Sequence, residues 1–93
     1  KFPSVRRDLA LVLDKTVRYS EIERIGRQTG GGILKDMVLF DVYEGEPVPA
    51  GKKSFAVGFT FQDEKKTFTD EEINRLMDKL VAAYKKQSGA EIR

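Results

Sequence analysis

Lys53–Phe61 reads KSFAVGFTF. Side chains along a strand alternate between its two faces. This stretch therefore divides into Phe55, Val57, Phe59 and Phe61 on one side and Ser54, Ala56, Gly58 and Thr60 on the other. The first set demands a core. The second is nearly bare, and the fold has to account for a face with so little to bury.

The flanking segments supply the rest of the fold. Arg7–Asp14, RDLALVLD, is a strand with Leu9, Leu11 and Leu13 inward. Ser20 and Glu23 have the spacing of a capping box and predict a helix with Ile22, Ile25 and Thr29 facing in, ending at Gly30-Gly31-Gly32. Met37–Tyr43, MVLFDVY, is a strand for which strict alternation turns Val38, Phe40 and Val42 inward and Met37, Leu39, Asp41 and Tyr43 outward. Glu44–Lys53, with two prolines and two glycines, is a long hairpin connection. Thr69 and Glu72 form a second capping box, with Phe68 placed to staple onto Ile73. Ile73, Leu76, Met77, Leu80, Val81 and Tyr84 follow at helical spacing, and Gly89 stops the helix. Ala90–Arg93 is a short last strand with Ile92 inward.

The order is strand, helix, strand, strand, helix, strand. Right-handed crossovers place both helices on one face of the sheet. The predicted fold class is α+β, a ferredoxin-like βαββαβ sandwich with an antiparallel sheet of order 4-1-3-2. The helices cover one sheet face, so the bare side of the third strand lies on the open one, together with Asp41 and Tyr43.

Composition limits the chemistry. The chain has 93 residues, enough for one domain. A first residue of Lys1 and an end at Arg93 suggest a segment cut from a longer protein. There is neither Cys nor His, which removes thiolate and imidazole zinc sites, disulfides, Cys nucleophiles and His-based triads. The lack of Cys suits a cytoplasmic protein. No apolar run reaches the ~20 residues of a membrane span, so no membrane partner is expected. The net charge of +2 permits a polyanionic partner.

Of the candidate sites, the open face is the most informative. Tyr43 beside the small Ser54 and Ala56 makes a flat recess on which a planar ligand can stack. Asp41 only accepts hydrogen bonds, whereas Ser54 donates or accepts. A carboxylate aimed at a base prefers an N–H edge such as guanine presents, and single-stranded RNA is read by stacking plus edge hydrogen bonds. The alternative is a plain solvated sheet face, or one covered by another domain. Lys52 and Lys53, with Arg6, Arg7, Lys65, Lys66, Lys85 and Lys86, suggest a phosphate-steering field, although the helix dipole already explains Lys85 and Lys86. Gly30–Gly32 lacks the Lys-Ser or Lys-Thr and the following helix of a phosphate loop. Asp41, Glu44 and Glu46 have no nucleophile with a neighbouring base, so no catalytic residue and no metal ligand is expected.

The RNA recognition motif shares this element order, and its third strand resembles KSFAVGF. In that family the alternating aromatics face the RNA, which here would expose Phe55, Val57, Phe59 and Phe61. Each is worth ~1.5–3 kcal/mol when buried, and a small domain has only ~5–15 kcal/mol of net stability. The phase is wrong for that family.

Five segments in order, FPSVRRDLALVLD, LFDVYEG, PAGKKSFAVGFTFQD, KTFTDEEI and GAEIR, resemble the ferredoxin-fold anticodon-binding domain at the C-terminus of the bacterial phenylalanyl-tRNA synthetase beta subunit. The resemblance makes residues 1–93 one such domain from a larger chain. It implies a tRNA(Phe)-binding module that contacts the first anticodon base, a guanine. By the same resemblance Tyr43 stacks, Asp41 and Ser54 hold the base edge, Ala56 is a floor residue, and Arg7 and Asp8 belong to the family signature. Catalysis, with ATP and Mg2+, falls to the alpha subunit of an α2β2 class II enzyme, and this domain carries no cofactor. The competing expectation is a regulatory or protein-docking ferredoxin-like domain that binds a small ligand or partner, and an amino-acid sensor of that kind usually binds its ligand at a dimer interface.

Overall fold

The computed structural model describes residues 2–93; Lys1 lies outside them. The elements are β1 (Val5–Asp14), α1 (Tyr19–Gly30), a 3-10 turn (Gly31–Ile33), β2 (Leu34–Tyr43), β3 (Lys52–Phe61), α2 (Asp70–Ser88) and β4 (Glu91–Ile92). The strands form one sheet in the order β4-β1-β3-β2, every pair antiparallel. This is the expected ferredoxin-like α+β fold.

The phase of β3 is as the sequence dictates. Val57, Phe59 and Phe61 are wholly buried and Phe55 nearly so, in one cluster with Leu11 and Leu13 of β1, Ile22 and Ile25 of α1, and Ile73, Leu80 and Tyr84 of α2. Directly opposed residues share a sheet face. Leu11 opposes Phe55 on the helix side, and Ala10 opposes Ala56 on the open side.

The strand β2 departs from strict alternation. Met37 and Leu39, expected outward, oppose Phe59 and Val57 and belong to the core side. Val38 and Phe40, expected inward, are 39% and 50% exposed. The cause is a β-bulge: Leu39 opposes Val57 and Asp41 opposes the very next residue, Ala56, so Phe40 is an extra residue in β2. A bulge of this kind resets which side chains face which way. Asp41 and Tyr43 then fall opposite Ala56 and Ser54 on the open face, as expected. Val42 does turn to the helix side opposite Phe55, but it remains 53% exposed at the hairpin end of an edge strand.

Helix α1 also begins differently. Its N-cap is Arg18, with no side-chain cap, so Ser20 lies inside the first turn and the expected box does not form. Val17 and Tyr19 pack onto the core, and the Tyr19 ring meets Phe55 edge-on at 6.2 Å. A cap contributes ~1 kcal/mol, less than burying an aromatic ring, and the helix starts where Tyr19 packs. The helix turns at Gly31, whose φ of 65° favours glycine.

A bare spot on α1 admits α2. A Cβ on Gly26 would lie 2.6 Å from the Tyr84 hydroxyl. That hydroxyl donates to the Ile22 carbonyl at 2.8 Å, and burial pushes the phenol's pKa up, so it stays a neutral donor.

The second capping box is present as expected. Thr69 Oγ1 accepts from Glu72 N at 3.1 Å, and Thr69 N donates to Glu72 Oε1 at 3.0 Å. The Lys66 ammonium, followed by the Thr69 N–H, holds the Glu72 carboxyl down to about 2. A carboxyl depressed on folding stabilises the fold above its unfolded value and loses that contribution as pH falls through the folded one. The stability gap between the wild type and Glu72→Gln in urea titrations is expected to be full at pH 6, to shrink below about pH 4.3, and to be largely gone near pH 2.

Candidate functional site

On the open face β3 contributes Lys52, Ser54, Ala56, Gly58 and Thr60, a central lane with hardly any side chain between Lys52 and Thr60. Ala10 of β1 and Asp41 of β2 flank Ala56. Tyr43 of β2 and Val12 of β1 flank Ser54. The floor is therefore flat and narrow, with the Asp41 carboxylate on one side and the Tyr43 ring beside it.

Two contacts fix the ring. The Tyr43 hydroxyl donates to the Glu46 carbonyl at 2.5 Å, which ties it to the hairpin that follows. Gly45, at φ 113°, carries the chain close past that hydroxyl. The Arg93 guanidinium carbon lies 5.5 Å from the ring centroid. Arg93 follows β4 at the far edge of the sheet and donates its N–H to the Ala10 carbonyl. Its side chain thus crosses the lane and covers the ring face turned toward the middle of the sheet. The ring remains 38% exposed.

Of the expected residues, Asp41, Tyr43 and Ala56 are brought together on this face. Ser54 shares the face but is only 3% exposed, which corrects the expectation of an open hydroxyl. It sits in an interior strand between two larger side chains, Tyr43 and Val12, that rise above it. Lys53 is not part of the face. It opposes the buried Leu13, and its ammonium donates to the carbonyls of Lys15, at 2.8 Å, and Val17, at 2.5 Å. Its alternation with the open-face Ser54 dictates that placement. Lys52 is on the face and pairs with Asp14 at 3.0 Å. Asp8 is on the face too, paired with Arg6, whereas Arg7 turns to the helix side and donates to Asn74. The hairpin carboxylates do not converge; Glu44 pairs with Lys15 at 3.1 Å.

Sequence reasoning missed Phe40 and Arg93, and it named Arg6 only as one of several basic residues without placing it on this face. Arg6 and Arg93 were legible by alternation, from Leu9 backward and from Ile92 forward. Nothing in the pattern announced Phe40, because the bulge arises from strand pairing.

The face is not basic. Arg6, Lys52 and Arg93 share it with Asp8, Asp14, Asp36, Asp41 and Glu91. Such a surface suits recognition by stacking and hydrogen-bond edges better than by charge. Any polyanion bound there should show only a shallow salt dependence.

The chain matches the family described as the ferredoxin-fold anticodon binding domain over residues 1–93. Curated relatives that it resembles are named phenylalanine–tRNA ligase beta subunit. They include proteins of Bacteroides fragilis, 52% identical, Bacteroides thetaiotaomicron, 50%, and Clostridium tetani, 46%. Each match covers all 93 residues of this chain but only 11% of the Bacteroides proteins and 12% of the clostridial one.

Proposed function

Because this chain belongs to the ferredoxin-fold anticodon binding domain family, we propose that its open sheet face reads the first base of a tRNA anticodon, as part of a phenylalanine–tRNA ligase beta subunit. The observation that carries the reading is the pairing of Asp41 with Ala56 and of Tyr43 with Ser54 on the hairpin side of the bulge. It sets an acceptor-only carboxylate and an aromatic ring side by side over a bare floor.

The base stacks on Tyr43 over Ala56, and Asp41 accepts from its N–H edge, which favours guanine. Arg93 yields the ring face to the base. An exposed cation–π contact is worth ~0.5–1 kcal/mol, against ~1–3 kcal/mol for a stacked base, so the exchange favours the base. The displaced guanidinium is then free to meet a phosphate. Ser54, buried between Tyr43 and Val12, lines the floor beneath the base and reaches its edge only where those two side chains part. Lys52 and Arg6, each paired with a carboxylate of the same face, are the other cations that a phosphate could meet. The chain contributes placement of tRNA(Phe), held by its anticodon stem-loop. In this reading amino-acid activation, with ATP and Mg2+, belongs to the alpha subunit of an α2β2 class II assembly.

The test is a titration with anticodon hairpins carrying guanine or adenine at the first position. Wild type should prefer guanine. Asp41→Asn adds a donor to the acceptor and should shrink that preference by about ten- to 150-fold, since a hydrogen bond to a charged group contributes ~1.5–3 kcal/mol. An unchanged preference in Asp41→Asn would remove the carboxylate from the reading.

A further inference from the structure

The open face holds a second exposed aromatic that the first-base reading does not use. Phe40, the extra residue of the bulge, has the Arg6 guanidinium carbon 5.2 Å from its ring centroid. Arg6 starts on β1, across β3 from it. It makes the crossing at Gly58, where a Cβ would lie 2.6 to 2.8 Å from three guanidinium atoms. Glycine inside a strand marks a close approach of this kind. Asp8 accepts from Arg6 Nε at 3.0 Å and fixes the near end of the group. The Arg6 side chain is still 52% exposed, and Phe40 is 50% exposed. A planar cation is thus laid against bare backbone, pinned at one end, and bordered by an open ring.

We propose that Arg6 and Phe40 form a second stacking platform, which takes an unpaired base flanking the one on Tyr43. The inference rests on the anticodon reading and extends it to a neighbouring nucleotide of the same strand. Guanidinium planes and aromatic rings are the two side-chain surfaces on which splayed RNA bases stack, and here they are adjacent. The platform is continuous with the first site, because Phe40 lies three residues before Tyr43, at most ~10 Å along the strand. A positive charge beside the ring also suits a strand that carries a phosphate at each step.

The experiment uses the 93-residue chain and anticodon hairpins with 2-aminopurine at the first anticodon position or at either neighbour. The fluorescence of this base falls when it stacks. In wild type, quenching is expected at the first position and at one neighbour. Phe40→Ala should weaken hairpin binding about tenfold and abolish the neighbour's quenching while leaving quenching at the first position. Arg6→Lys keeps the charge but loses the plane, and should reduce the neighbour's quenching as well. Melting curves should stay close to wild type, because both side chains are half exposed.

Quenching at the first position alone, or a neighbour's quenching that survives Phe40→Ala, overturns the second platform and leaves the anticodon reading standing. No quenching anywhere in wild type overturns both. A dimer in sedimentation that Phe40→Ala disperses assigns this surface to a second copy of the chain and overturns the platform.

Discussion

Phe59→Ala is expected to destabilise the chain by about 3–5 kcal/mol, a large share of the ~5–15 kcal/mol available to a domain of this size. Phe59 is wholly buried, and its ring centroid lies 6.2 Å from that of Tyr84, the residue that ties α2 to the backbone of α1. Removing the ring takes apolar surface out of the core and leaves a cavity under both helices. The substitution also tests the phase of β3. Were the phenylalanines on the RNA side, as in the RNA recognition motif, Phe59→Ala would leave the urea midpoint almost unmoved and abolish RNA binding. A midpoint shifted strongly downward, with residual binding in the fraction still folded, is the result that burial requires.

Tyr43→Ala should do the reverse. The ring is partly exposed and outside the main core cluster, so the urea midpoint should move little. The loss of a stacking platform of ~1–3 kcal/mol should weaken binding of the anticodon hairpin by about five- to 150-fold. Tyr43→Phe separates the two functions of the side chain. It keeps the stacking surface and loses only the hydrogen bond to the Glu46 carbonyl, so its affinity should stay closer to wild type. In a phenylalanine–tRNA ligase assembled as proposed above, Tyr43→Ala should lower aminoacylation and leave amino-acid activation unchanged. Equal aminoacylation by wild type and variant would count against any part for Tyr43 in reading tRNA.

Much of this fold was legible in the sequence. The split of β3 into a phenylalanine side and a bare side, the leucine alternation of β1 and the Thr69–Glu72 box each rest on short-range regularities, and the order of elements then leaves few arrangements. The departures have one origin, which is that tertiary packing overrides local pattern. Ser20 has the spacing of a cap, yet burial of Tyr19 starts the helix earlier. The strand β2 alternates on paper, yet its pairing with β3 absorbs Phe40 as an extra residue. The site was legible for the same reason that the interior of β2 was misread: counting outward from Tyr43 places Asp41 correctly, and the count fails only where it crosses the bulge. Ser54 shows a further limit. A face can be read from alternation, whereas exposure depends on what the neighbouring strands lay over it, here Tyr43 and Val12.

The most direct measurement is an amide chemical-shift titration of the chain with an anticodon hairpin bearing guanine at the first position, beside one bearing adenine. Shifts concentrated on Asp41, Tyr43, Ser54, Ala56 and Arg93, larger and saturating earlier with guanine, are the predicted result. Shifts confined to the helices, or an identical response to both hairpins, would contradict it.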